Sequence, residues 1–120
     1  MNPRKKRKIE ELLRRELSSI VLYELKDPRK GFLTVTEVEL SEDQRSAEVG
    51  VTVRGTEEEV EEPVEVLNHA HGYIQGLIGD RLRLRYTPVL TFSEDTSVRR
   101  AMKIEALIDR ARREDREFKS

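Results

Sequence analysis

The residues with the most obvious chemical potential are two histidines and a run of glutamates. His69 and His71 stand two positions apart, which on a helix turns their side chains about 200° away from each other, so they cannot jointly hold a metal ion. The glutamates between 57 and 62 lie where a helix is expected to begin, and no histidine or nucleophile has a spacing that pairs with them. The chain has no cysteine. These residues predict neither an enzyme nor a metal or cofactor site.

Cations offer a different chemistry, which is the binding of a polyanion. They form a run at the start of the chain, a second group in and after the first predicted helix, and a later alternating series. The members are Arg4, Lys5, Lys6, Arg7 and Lys8; Arg14, Arg15, Lys26, Arg29 and Lys30; and Arg81, Arg83 and Arg85.

Charge is unevenly distributed, although the net charge of the whole chain is only −1. Residues 1–30 hold ten Lys/Arg against five Asp/Glu, residues 31–65 two against eleven, and residues 66–120 eleven against eight. Two basic segments that flank an acidic one predict binding of nucleic acid on one side and repulsion on the other. A solvated ionic surface is the alternative interpretation.

Composition limits the architecture to one domain. In 120 residues, 36% are hydrophobic and 39% are charged, which suffices for one thin core between a sheet and its helices. The sequence has neither a signal peptide pattern nor a run of 18 apolar residues. We therefore expect a cytoplasmic protein that does not bind membranes and is monomeric when free.

Hydrophobic periodicity places the first three elements. A helical stripe follows the opening basic run and ends at Asp27-Pro28, because proline excludes the preceding residue from the helical region. Phe32–Leu40 reads as a strand whose alternation slips near Thr36-Glu37, which predicts a β-bulge. A second alternating strand ends near Val53, so the two form an antiparallel hairpin with one wet face.

The pattern in the second half of the chain predicts two helices, a strand and a further helix. We start the second helix near residue 62, because proline suits a first helical turn; an earlier start capped by Thr56 would leave Pro63 as a kink. After a break, a third helix spans about 73–82 and a strand spans 89–93. A cap at 94–97 opens a fourth helix. The domain is thus residues 1–111, and residues 112–120 form a charged, disordered tail. The stripe of the fourth helix is Ala101, Ile104, Leu107, Ile108 and Ala111.

Glycines and aromatic residues carry two more expectations. Gly72, Gly76 and Gly79 fall on one helix side, opposite the apolar residues, and leave a face without side chains. Such a face predicts close approach of another backbone, protein or nucleic acid; a helix break or a tight helix crossing is the alternative.

The aromatic residues are assigned to the core rather than to base stacking: Phe32, Phe92, Tyr73 and Tyr86.

The element order α-β-β-α-α-β is that of a type II KH domain, but the Gly-x-x-Gly loop is absent and the two helices meet at Ala70-His71-Gly72. With these residues, the chain resembles the bacterial ribosome-binding factor A family. The resemblance spans roughly residues 4–108. Its other stretches are Lys26-Asp27-Pro28-Arg29, Gly31-Phe32-Leu33-Thr34-Val35-Thr36, Leu67-Asn68, Leu82-Arg83-Leu84-Arg85-Tyr86-Thr87-Pro88, Leu90-Thr91-Phe92 and Asp95-Thr96-Ser97.

The resemblance implies an α+β, type II KH-like domain of order α-β-β-α-kink-α-β with an appended C-terminal helix, whose helices cover one face of a three-stranded sheet. It also implies a non-catalytic factor that binds 16S rRNA of the 30S subunit during late maturation and 5′-end processing and supports cold adaptation. Family members often have a basic residue after the kink, where this chain has Gln75 and Gly76.

The expected RNA-binding residues are the thirteen cations named above together with Ala70, His71 and Gly72. No small-molecule substrate is expected. The alternative function is a protein interaction module, in which a partner helix covers the glycine face and a basic protein binds the acidic middle.

Overall fold

The chain begins with a long helix, α1, which spans Pro3–Ser19. The computed structural model describes residues 1–54, 57–95, 108 and 110–113. Asn2 caps α1, since its side-chain oxygen accepts a hydrogen bond from the backbone N–H of Arg4 at 2.8 Å, and Pro3 occupies the first turn. The basic run, expected to precede the helix, therefore lies inside its first two turns.

After α1 the backbone widens into a π-helical segment, Ile20–Glu24. The amide of Leu25 closes this segment with a 3.1 Å bond to the carbonyl of Ile20, five residues earlier. A 3-10 turn, Pro28–Lys30, follows and is capped by the side chain of Asp27. Gly31 then takes a φ of 58°, which only glycine adopts readily, and turns the chain into the sheet.

The sheet has three strands in the order β1-β2-β3: β1 spans Leu33–Leu40, β2 spans Ser46–Val53 and β3 spans Val89–Glu94. The first two pair antiparallel, with a register shift between Val35 and Glu37 that confirms the predicted bulge. β3 runs parallel to β2. The helices cover one face, while the exposed side chains of Glu37, Glu39 and Glu48 make the open face acidic.

Two helices joined by a one-residue break follow the hairpin: α2 spans Glu57–His69 and α3 spans His71–Arg81. The predicted start near residue 62 is wrong, since Pro63 lies inside α2. Pro63 is buried in that position, and a Cβ added to Gly31 would stand 3.7 Å from its Cγ. The proline cannot donate a backbone hydrogen bond within α2, and its ring instead packs against the turn before β1.

The core lies between the helices and the covered sheet face. Its side chains that are at most 2% exposed include Leu13, Leu17, Ile20, Leu40, Val49, Val51, Leu67, Ile74, Ile78 and Phe92. Phe92 confirms its assignment to the core, whereas the assignments of Phe32 and Tyr73 are wrong, because their side chains are 81% and 56% exposed. Phe32 precedes the paired strand, and Tyr73 stands beside the inward-facing Ile74 on α3.

The element order and the single helical layer confirm the predicted α+β, type II KH-like fold. The predicted fourth helix and the tail fall for the most part outside the described residues. The division at residue 111 therefore stays a prediction.

Candidate nucleic-acid interface

The break between α2 and α3 is a tight kink at Ala70. This residue has φ −87° and ψ 5°, outside helical geometry. Its amide nevertheless bonds the carbonyl of Val66 at 3.0 Å, and its own carbonyl accepts from Ile74 at 3.0 Å. The helical hydrogen bonding thus passes through the kink, and His69, His71 and Gly72 around it are exposed.

Two side-chain amides fix the helices on either side of the kink to the outer edge of β3. Asn68 of α2 accepts from the amide of Phe92 at 2.8 Å and donates to its carbonyl at 2.9 Å. Gln75 of α3 accepts from the amide of Leu90 at 2.9 Å, and the Nδ1 atom of His71 lies 3.0 Å from the same oxygen. Gln75, which departs from the family's basic residue, therefore has a structural partner.

The glycine face is open along most of its length. No described atom lies within 4 Å of a Cβ placed on Gly72 or Gly76. At Gly79 that Cβ would stand 3.3 Å from the hydroxyl of Thr87. Within the described residues no helix crosses α3 at Gly72 or Gly76, so another molecule's backbone has room to approach there.

A cleft of about 330 Å³ borders the other side of the kink, between the 3-10 turn and α2. Its lining includes the carboxylates of Asp27, Glu62 and Glu65. Arg29 also lines it, but its guanidinium pairs with Asp27 at 2.6 Å. The hydrogen bond from Arg29 lowers the pKa of Asp27 to about 2. With so many carboxylates, the cleft is poorly suited to a phosphate.

Several of the predicted RNA-binding cations have partners within the chain. Arg14 and Arg15 both pair with Glu11, at 2.6 and 3.3 Å. Arg81 ties α3 to the first helix and its π-helical segment through Glu16 at 3.5 Å and Glu24 at 2.9 Å. The ammonium of Lys30 donates to the carbonyl oxygens of Val21 and Leu22. These groups already stabilise the fold.

Other predicted cations are exposed and form no ion pair within the described part of the chain. They are Arg4, Lys5, Arg7, Lys8, Lys26, Arg83 and Arg85. All but Lys26 lie on two segments that border the turn between β1 and β2. The first turns of α1 reach this turn through Lys6, whose ammonium is 3.4 Å from Glu42. The segment before β3 reaches it through the amide of Val89, 2.9 Å from the carbonyl of Arg45.

Sequence reasoning missed Arg45 and assigned Tyr86 to the core. The Cζ atom of Arg45 lies 4.9 Å from the centroid of the Tyr86 ring, and that of Arg85 lies 5.4 Å from it. Tyr86 is only half-buried. Parallel pairing of β2 with β3 brings the starts of both strands together and would have indicated this proximity, but the sequence alone did not predict that β3 pairs with β2.

Other kinds of site find no support in the described residues. No helix there is long and apolar enough to cross a membrane. Within the same residues no three His, Cys, Asp or Glu side chains are grouped so that they could hold a metal ion.

The comparisons with known proteins all identify the same family. The model of the ribosome-binding factor A family matches residues 5–108. The ribosome-binding factor A of Halothermothrix orenii is 44% identical over 115 residues, which cover 96% of this chain and 94% of the relative.

The structures of two relatives are similar to this chain in fold as well as in sequence. A solution structure from Thermotoga maritima, described as a ribosome binding factor A, is 42% identical with a TM-score of 0.70, and the match covers 81% of this chain and 93% of that one. A homology model of the Thermus thermophilus ribosome-binding factor A, fitted into a cryo-EM map of a 30S complex, is 30% identical with a TM-score of 0.62, and the match covers 74% of this chain and 93% of that one.

Proposed function

The chain belongs to the ribosome-binding factor A family, and from this membership we propose that it is a non-catalytic cytoplasmic factor that binds the 30S ribosomal subunit. In this proposal it contacts 16S rRNA during late maturation, assists processing of the 5′ end of that RNA and supports growth in the cold. The 30S complex of the Thermus thermophilus relative supports the choice of partner.

The observation that carries the proposal is the position of the unpaired cations. Exposed cations without ion pairs in the described residues collect on the first turns of α1 and before β3, on both sides of one turn. The open sheet face instead presents Glu37, Glu39 and Glu48. RNA would be attracted to the first surface and repelled from the second, which orients the protein on the subunit.

The kink contributes a different kind of contact. Because Gly72 and Gly76 carry no side chains and no described atom covers them, a sugar-phosphate backbone can approach the helix closely. Contacts to phosphate from the cations would fix position, and contacts at the kink would add shape selection.

The test compares two triple variants that change the net charge by three units in opposite senses. Replacing Arg4, Lys5 and Lys8 with glutamine should weaken binding to purified 30S subunits and reduce the slope of log affinity against log salt by about two units, at roughly 0.7–0.9 per phosphate contact. Replacing Glu37, Glu39 and Glu48 with glutamine should leave that slope unchanged.

Equal slopes for the wild type and the cation variant would contradict the assigned surface. Binding that is insensitive to salt would instead favour the protein interaction module.

In cells that depend on this protein, the cation variant should also accumulate 16S rRNA with an unprocessed 5′ end, most strongly at low temperature. Normal processing at all temperatures would contradict the maturation role.

A further inference from the structure

We propose that Arg45, Arg85 and Tyr86 form a binding site for single-stranded RNA at the end of the sheet where β2 and β3 begin. In this site, the guanidinium groups are held at the tyrosine ring, offer a flat surface to an unstacked base and bind the adjacent phosphate. The inference rests on the proposed function and names one of its RNA contacts.

The backbone fixes the three residues relative to each other. Arg45 immediately precedes β2, and its carbonyl accepts from the amide of Val89 at 2.9 Å. The next residue, Ser46, is the registered partner of Val89 in the parallel pair. Tyr86 is three residues before β3, so the strand pairing itself brings the arginine and the ring together.

The ring organises two cations that would otherwise be mobile. The Cζ atom of Arg45 is 4.9 Å from the ring centroid and that of Arg85 is 5.4 Å away, both within the range of a cation–π contact. A guanidinium group held at a ring keeps its N–H edge available for phosphate and a planar face available for a base. The half-buried tyrosine thus supports two exposed arginines.

Neither arginine has a carboxylate partner in the described residues, in contrast to Arg29 and Arg81. The nearest acid in sequence, Asp43, accepts hydrogen bonds from the hydroxyl of Ser41 at 2.6 Å and from the backbone amide of Arg45 at 3.0 Å. Its carboxylate is therefore engaged in the turn: the hydrogen bond from Ser41, and after it the backbone amide and the nearby charge of Arg45, lower the pKa of Asp43. Because neither guanidinium group forms a side-chain hydrogen bond in the described residues, both keep their hydrogen-bonding capacity for a ligand.

The occupant that fits is single-stranded RNA. Stacking on a guanidinium plane needs a base that is free of its own helix, and two cations on one ring suit consecutive phosphates better than a single carboxylate. The exposed cations of α1 and Arg83 lie on the segments that border the same turn, and they would continue the path of the backbone.

Strand β2 supplies a matched control, because Arg45 precedes it and Arg54 follows it at the opposite end of the sheet. We would measure binding of Arg45→Gln and Arg54→Gln to a labelled single-stranded oligoribonucleotide of 12 mixed bases, to its duplex and to 30S subunits. Arg45→Gln should weaken single-strand binding at least threefold and reduce the salt slope by about 0.7. Arg54→Gln should change both quantities by less than half as much.

Two variants at the ring separate stacking from charge. Tyr86→Leu keeps the charge but removes the ring, and it should weaken single-strand binding about as much as Arg45→Gln; Tyr86→Phe should bind normally. Thermal unfolding of each variant verifies that it is folded. The site would be overturned by equal effects of Arg45→Gln and Arg54→Gln, or by normal binding of folded Tyr86→Leu. In either case, binding of the wild type to subunits would still support the proposed function. A wild type that does not bind subunits would overturn both.

Discussion

Asn68 satisfies both backbone groups of Phe92 on the outer edge of β3, by accepting from its amide at 2.8 Å and donating to its carbonyl at 2.9 Å. Gln75 accepts from the amide of Leu90 on the same edge at 2.9 Å. β3 is an edge strand, and unpaired edge groups are prone to pairing with another chain. Two helix side chains thus take the place of a fourth strand.

Replacing Asn68 with alanine should lower the free energy of unfolding by about 1–3 kcal/mol, because the part-buried amide and carbonyl of Phe92 lose their partner. Urea denaturation measures the change. Ser93→Ala, at the next, exposed position of the strand, is the control and should have little effect. Equal stability of Asn68→Ala and wild type would show that water replaces the side chain without cost.

The three glycines of α3 should respond differently to alanine. Gly76→Ala should raise the free energy of unfolding by about 0.5–1 kcal/mol, because alanine favours the helix and no described atom would contact the new methyl group. Gly79→Ala should raise the free energy of unfolding by less, since its Cβ would stand 3.3 Å from the hydroxyl of Thr87.

If the open face receives RNA, Gly72→Ala and Gly76→Ala should also weaken 30S binding. Unchanged binding in both would remove this face from the interface.

Acid should destabilise the protein as two carboxylates are protonated. A hydrogen bond from Arg14 lowers the pKa of Glu11 from 4.5 to about 2, and one from Arg29 lowers that of Asp27 from 3.8 to about 2. Because these pKa values are depressed in the folded state, their stabilising contribution is complete above the unfolded-state values and is lost as the pH falls from about 5 to 2.

Glu11→Gln and Asp27→Asn should therefore reduce the dependence of unfolding free energy on pH within that window, while Glu39→Gln on the open sheet face serves as the control. NMR titration of the side-chain carboxyl carbons would give the two midpoints directly. Midpoints near 4.5 and 3.8 would show that the arginine contacts do not persist in solution.

A chain that ends at Arg112 should unfold cooperatively with nearly the stability of the full chain. The buried hydrophobic residues of the described part lie between Ile9 and Phe92, and residues 112–120 contribute little apolar surface. Thermal denaturation of the shortened and full chains provides the comparison. Loss of cooperativity would place a segment of the tail in the core.

Local patterns predicted the hairpin and the bulge, because each depends on alternation or its interruption. The kink was implied by the resemblance at Ala70-His71-Gly72, and it lies at Ala70, whereas Gly72 is inside α3. Pro63 was harder, since its effect on a helix depends on what packs against the ring, and Gly31 is distant in sequence. Phe32 was assigned inward by its type, although the paired strand begins one residue later. The contact of Arg45 with Tyr86 arises only when β2 pairs with β3. Ion pairs such as Arg81–Glu24 likewise join residues that no local pattern relates.

The anchoring of both helices to β3 determines the mechanics of the kink. Asn68 and Gln75 stand on opposite sides of Ala70, and they bond to Phe92 and Leu90, two positions apart on one strand. The strand thus holds α2 and α3 together across the kink, and these hydrogen bonds oppose a change in the angle between the two helices. A ligand that binds at the kink meets a surface that is already shaped, so the protein loses little conformational entropy on binding.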